Sequence, residues 1–237
     1  MLPQQIILVR EIGDIGHPYW TASSLDGLHL VLEPGEAVLH VGNYRISQII
    51  PRAWVMPDTT AVVVTDRRIG FLTTRFDKGG GWVGLGIAGL AVAATANAVS
   101  KRRAAERSAG RVAVGQVRHE WITEISLRRK KALIGVVDTY VDITLASSAG
   151  PRVIEIWCRG LSDGQFIRWL VDVVSAHRMT LLTPGSADIT ALQRYQNGSH
   201  DAARASKPND PRWLLPGNSA ELIDLVITRQ FPPPRIS

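Results

Sequence analysis

One cysteine, Cys158, stands among the 237 residues. Within one chain that leaves no internal disulfide and no cysteine-based zinc cluster, and a reducing, cytosol-facing compartment is the simpler expectation. No basic residue precedes the first apolar run, which extends only from Ile6 to Val9, so no secretion signal is expected there. The six histidines, at 17, 29, 40, 119, 177 and 200, never fall at H-x-x-x-H or H-x-H spacing and have no paired acidic ligand beside them. A metal site is not visible in that pattern. The G-x-S-x-G and P-loop patterns are also missing. Asp138 and Asp142 share the outward face of one expected strand, about 13 Å apart, too far for a glycosidase-type pair. Cys158 falls within an expected strand, as a small buried hydrophobe. These absences imply no catalytic residue and no cofactor.

What is present describes a folded chain: 45% hydrophobic and 20% charged residues, enough for a core and one domain with appendages, or two small ones. The net charge of +6 is local. Residues 101–131 hold ten Lys or Arg against three Glu, a balance of +7, so the remainder sums to −1. Such a collar favours an acidic partner met at one face, although solvated strand ends account for the same residues.

Period-two alternation marks strands at "EAVLHV" (36–41), after the turn "EPGE", and in the two halves of "TAVVVTDRRIGFLTTRF" (60–76), broken as a tight hairpin at Asp66 and Arg67. "EWITEISLRR" places Trp121, Thr123, Ile125 and Leu127 on one face, with His119 sharing that of Trp121. "VVDTYVDITLAS" places Val137, Val141, Ile143 and Leu145 inward, and "VIEIWC" follows at 153–158. "LSDGQFIRWLVDVVSAHRMTLL" then reads as an amphipathic helix, with a capping box at Ser162 and Gln165, an apolar stripe of Phe166, Trp169, Leu170, Val173 and Val174, and Arg168 and Asp172 on the polar side. After Pro184 the chain turns polar, with short helical stretches and a Pro-rich end, so few residues of 183–237 are expected in the first core.

Strands in series closed by one helix suggest a bent antiparallel sheet plugged by that helix. Residues from about Gly35 to Arg178 resemble the bacterial pleckstrin-homology-like domains, which share their barrel with PH and GRAM domains. The likeness rests on "GEAVLHVG", "AVVVTDRRIGFL", "VRHEWITEISLRRKK", "RVIEIW" and "FIRWLVDVV". The resemblance implies a mainly β fold with α, a PH-like barrel capped by a C-terminal helix, spanning 35–182 between an N-terminal extension (1–34) and a C-terminal appendage (183–237). It departs from the pattern by inserting residues 77–111, and it implies a binding module without naming a ligand.

Within that insertion, residues 79–100 are uncharged and contain six Gly and six Ala. Twenty-two residues are long enough to span a bilayer, but so few are strongly apolar that insertion gains only a few kcal/mol. If the strands on both sides share one barrel, the segment must also leave and return on one side. "GLGIAG" (84–89) matches a dinucleotide fingerprint, but no buried strand precedes it and none follows around Glu106. Gly80, Gly84 and Ala88, and Gly89, Ala93 and Asn97, recur every four residues, as in a helix that packs closely on an apolar partner.

The expectation is therefore a non-enzymatic PH-like binding module, cytoplasmic, attached peripherally to the inner face of the plasma membrane or to a protein partner. The expected contact is Trp82, Gly84, Gly86, Gly89, Ala93, Lys101, Arg102, Arg103, Arg107 and Arg111, with a second basic patch at Arg67, Arg68, Arg128, Arg129, Lys130 and Lys131. Trp82 and Trp213 are candidate interface anchors. The partner is an anionic lipid surface or a protein, including a second copy of the chain; a cytosolic interaction domain without membrane contact is the alternative. Nucleotide binding at "GLGIAG" and nucleic-acid binding by the basic patch are minor alternatives, and no nucleic-acid motif is present.

Overall fold

The computed structural model describes residues 7–11, 29–49, 54–55, 60–73, 97–103, 105–106, 109, 111–131, 137–146, 150–158, 164–197 and 211–217. Ten strands are described: β1 (Ile7–Glu11), β2 (Val38–Ile49), β3 (Trp54–Val55), β4 (Thr60–Thr65), β5 (Arg68–Thr73), β6 (Arg111–Arg118), β7 (Ile122–Lys131), β8 (Val137–Leu145), β9 (Arg152–Trp157) and β10 (Arg212–Leu214). Two helices follow β9, α1 (Gln165–Leu181) and α2 (Ala187–Gln196). The fold is mixed, β with α.

The strands form one antiparallel sheet in the order β1-β6-β5-β4-β2-β9-β8-β7-β10, with β3 on β2. It is not closed, because β1 and β10 end the path. It is strongly curled nonetheless. From β6 to β7 the path crosses six strand-to-strand steps, about 29 Å if the sheet were flat. Yet β6 and β7 are joined by a single 3₁₀ turn, His119–Trp121, and four Cα steps reach no more than about 15 Å. The sheet must bend until those strands meet.

Its concave face and α1 share one core that includes Ile46, Val64, Phe71, Ile125, Ile143 and Ile156 from the strands. The helix contributes Ile167, Leu170, Val171 and Val174. The buried stripe is thus rotated from the one expected: Phe166, Trp169 and Val173 are only partly buried and flank it. The helix begins at Gln165 behind Gly164, whose φ of 68° is left-handed; Ser162, the other half of the expected capping box, lies outside the described residues.

The hairpin at Asp66–Arg67 and the "EPGE" turn are where the sequence places them. Gly35 has φ 73° and the Glu36 amide donates to Glu33 O at 3.0 Å, as a turn with Pro then Gly requires. The phase of β7 differs from expectation. A register shift between Ile122 and Glu124 buries Ile122 and leaves Thr123 half-buried, because a bulge exchanges the faces of a strand. His119 and Trp121 sit in the 3₁₀ turn, not on a strand.

Part of the chain after Pro184 belongs to the core. Ser186 caps α2 by accepting from the Ile189 amide, Leu192, Tyr195, Trp213 and Leu215 join the main cluster, and β10 pairs with β7. Trp213 is 3% exposed and is no surface anchor. On the N-terminal side β1 pairs with β6, and Leu30, with Ala61, packs against the buried pair Val63 and Leu72. Polar spacing hid these segments, since each contributes only a few anchors.

Candidate functional site

The root of the insertion is defined by strand pairing. In β5 and β6, Leu72 opposes Val114 and Thr73 opposes Ala113. Residues 74–110 therefore leave and re-enter at adjacent positions of the same sheet. Among the described residues no helix is long and apolar enough to cross a membrane. Trp82, Gly84, Gly86, Gly89, Ala93 and Arg107 lie outside the described residues, as does the whole "GLGIAG" stretch. Lys101, Arg102 and Arg103 are exposed on a helical segment at 97–103, where Arg102 pairs with Glu106 at 3.0 Å across one turn. Arg111 opens β6 opposite Glu11.

The second basic patch is not one surface. Arg68 is buried and inside the fold: its Nε donates to Glu36 Oε1 at 2.8 Å, Nη2 to Glu36 Oε2 at 2.7 Å and to Val31 O at 2.8 Å, and Nη1 to Gln116 Oε1 at 2.7 Å. Arg67 lies 3.7 Å from Glu33, which also pairs with Arg118. Arg128 is neutralised by Asp142, at 2.9 Å, and by Glu155. Those two carboxylates raise the Arg128 pKa above its ordinary value, with hydrogen bonding to Asp142 the largest cause. Arg128 also ends a row across four strands, Arg45, Trp157, Tyr140, Arg128, in which the guanidinium groups lie 5.1 and 5.0 Å from the Trp157 and Tyr140 ring centroids. Lys130 is 5.5 Å from the Tyr140 ring. Lys131 ends β7 opposite Val137. An alternating strand read alone shows its cations but not the acids on the neighbouring strand.

Arg129 goes elsewhere. With Arg168 it lines a groove of about 210 Å³ beside the N-terminus of α1, floored by Leu127, Ile167 and Trp213. A Cβ at Gly164 would meet Ile167 Cγ2 at 3.6 Å and Leu127 Cδ2 at 3.9 Å, ordinary contact distances, so the left-handed φ of 68°, not space, favours glycine there. The groove joins β7, α1 and the residue before β10. Arg168 reads as an ordinary polar-face residue in sequence, and only the docking of β10 gives it this neighbourhood.

Two other polar groups are structural. Arg178, buried on α1, donates to the carbonyls of Glu120, Ile122, Pro216 and Gly217 at 3.3, 2.6, 3.0 and 3.2 Å. Burial lowers its pKa below the ordinary value. His177 Nε2 lies 3.2 Å from Glu120 Oε2. Among the described residues no group of three or more His, Cys, Asp or Glu is placed to hold a metal ion. Comparison with protein-family models, with curated proteins and with solved structures finds no match.

Proposed function

We propose that the chain is a PH-like, non-enzymatic binding module that attaches to an anionic membrane surface through the segment inserted between β5 and β6. A curled antiparallel sheet whose inner face is covered by a following helix supports the PH-like reading. The observation that carries the attachment is the Thr73–Ala113 pairing. It returns the insertion to its point of departure, so the exposed Lys101, Arg102 and Arg103 are held outside the sheet on a loop with both ends anchored. Each basic residue near an anionic surface contributes about 1 kcal/mol, an attraction that salt screens.

Flotation with vesicles containing phosphatidylserine tests this. Binding is expected at low salt, falling as salt rises, and weakened about a hundredfold in the K101A/R102A/R103A variant. Equal flotation of the variant, or equal binding to neutral vesicles, overturns the membrane reading. A protein partner is the second reading, favoured by the exposed aliphatic run Val38, Leu39 and Val41 on β2. Loss of partner binding in V41D, with flotation absent, selects it.

A further inference from the structure

We propose that the apolar patch around the turn before β2 is a docking surface for the chain's own residues 218–231. Five of the eight large apolar residues exposed among the described residues gather there: Val31, Leu32, Val38, Leu39 and Val41, between 40% and 63% exposed. They flank one turn, closed by the Glu36 amide on Glu33 O at 3.0 Å. Val41 opposes Val63 of β4. Val63 belongs with Leu30 to a small cluster apart from the main core, so Val41 lies on the outer face of the sheet. Leu39 sits at the register shift between Val38 and His40 and has no partner in that ladder. Single exposed apolar residues are ordinary, whereas a gathered set marks a contact surface.

The sequence after Gly217 supplies the occupant. Asn218 and Glu221 have the spacing of a helix start, and Pro232 follows Phe231 as a stop. At helical period Leu222, Ile223, Val226 and Ile227 share one face, against Glu221, Asp224 and Thr228 on the other. An apolar stripe of this kind is what an apolar surface accepts from a helix, and the segment as a helix would be about 21 Å long. Its point of attachment is close to the patch. Gly217 O accepts from Arg178 Nη2 at 3.2 Å, and Arg178 Nη1 donates to Glu120 O at 3.3 Å. The neighbouring His119 amide donates to Arg67 O at 3.1 Å, and the Arg67 side chain lies 3.7 Å from that of Glu33, next to Leu32. A short tether gives an effective concentration of about millimolar, which favours this segment over a second copy of the chain. Residues 12–28, which precede the patch, carry Gly13, Gly16, Pro18 and Gly27 and no such stripe. A docked segment competes for Val41 with any protein partner. The patch lies apart from Lys101–Arg103 in sequence, and the inference does not depend on the membrane reading.

The test is paramagnetic broadening in ¹⁵N–¹H spectra of the full chain, with a nitroxide attached at Thr228→Cys; the native Cys158 is buried. The Val38, Leu39 and Val41 amide signals are expected to lose at least half their intensity. Val41→Asp, and independently Ile223→Asp or Val226→Asp, restore them, whereas Asp224→Asn on the polar face does not. Unbroadened signals at Val38, Leu39 and Val41 in the folded, nitroxide-bearing chain overturn the proposal. Broadening found only when ¹⁵N-labelled chain is mixed with nitroxide-bearing chain assigns the patch to a second copy and overturns it too. So does broadening at Val41 from a nitroxide at Ser23→Cys with none from Thr228→Cys, which assigns residues 12–28. K101A/R102A/R103A leaves the broadening unchanged and Val41→Asp leaves flotation unchanged, so failure of one reading is distinguishable from failure of the other.

Discussion

Glu36 and Arg68 form an ion pair withdrawn from solvent, the carboxylate 0% and the guanidinium side chain 3% exposed, with Nη2 to Oε2 at 2.7 Å. The pair links the turn before β2 to the start of β5 and reaches Gln116 on β6. Burial by itself would raise the Glu36 pKa. The Arg68 guanidinium, the Glu33 amide and the Thr65 hydroxyl outweigh burial and hold it at about 2.

Removing one partner leaves an uncompensated buried charge. Arg68→Met is expected to cost about 3–5 kcal/mol, and adding Glu36→Gln to it recovers part of that loss. Because the folded value is depressed from 4.5 to about 2, the contribution of Glu36 is present above pH 4.5 and is lost as pH falls through 2. Urea unfolding of the single and double variants across that window checks both statements.

His119 is a neutral, fully buried ring in T-shaped contact with His177 of α1, 5.4 Å between centroids and 82° between planes. Burial, aided by His177, lowers its pKa from 6.5 to about 3. The unfolded chain therefore binds a proton that the folded chain refuses. Between pH 6.5 and 3 this residue removes up to about 1.4 kcal/mol of stability per pH unit. His119→Leu is expected to flatten that slope in urea midpoints measured against pH; an unchanged slope rejects the assignment.

Arg178 fastens three segments with its four carbonyl bonds, and Gly217 closes against it. Arg178→Met leaves those carbonyls without their donor and is expected to cost about 3 kcal/mol. Lysine does not reproduce the planar fork. Gly217 has φ 109°, and a Cβ there would lie 3.1 Å from Leu182 Cδ2 and 3.3 Å from Arg178 Nη2. Gly217→Ala is accordingly expected to cost about 1–3 kcal/mol, with faster hydrogen exchange at Trp213 and Leu215 as the local readout.

Cys158 is buried behind β9, and burial pushes its thiol up to about 12. The thiolate is the reactive form. Thiol reagents at pH 8 are expected to label Cys158 at the rate of unfolding, accelerating in urea; fast labelling of the native chain contradicts this environment.

Alternation made β8 and β9 legible, because a strand with one face in the core writes its burial at every second residue, whereas β4 and β5, buried at nearly every position, were legible as β-rich runs broken at Asp66 and Arg67. It misplaced Thr123, where a bulge moves the phase, and it put Trp169 at the centre of a stripe that the sheet meets through Ile167 and Val171. The basic residues were legible as charges but not as sites. Arg68 and Arg128 meet acids from distant segments, whereas Arg129 and Arg168, 39 positions apart, line one groove.

By itself the sequence determined local matters: periodicity, the Pro34–Gly35 turn, the hairpin at Asp66, and a charge concentrated between 101 and 131. These depend on interactions among near neighbours. Tertiary structure alone decided that β5 and β6 pair across the insertion, that Trp213 enters the core, and which cations are neutralised. Each of those outcomes is a contact between segments far apart in the chain, settled when the curled sheet brings their side chains within hydrogen-bonding distance.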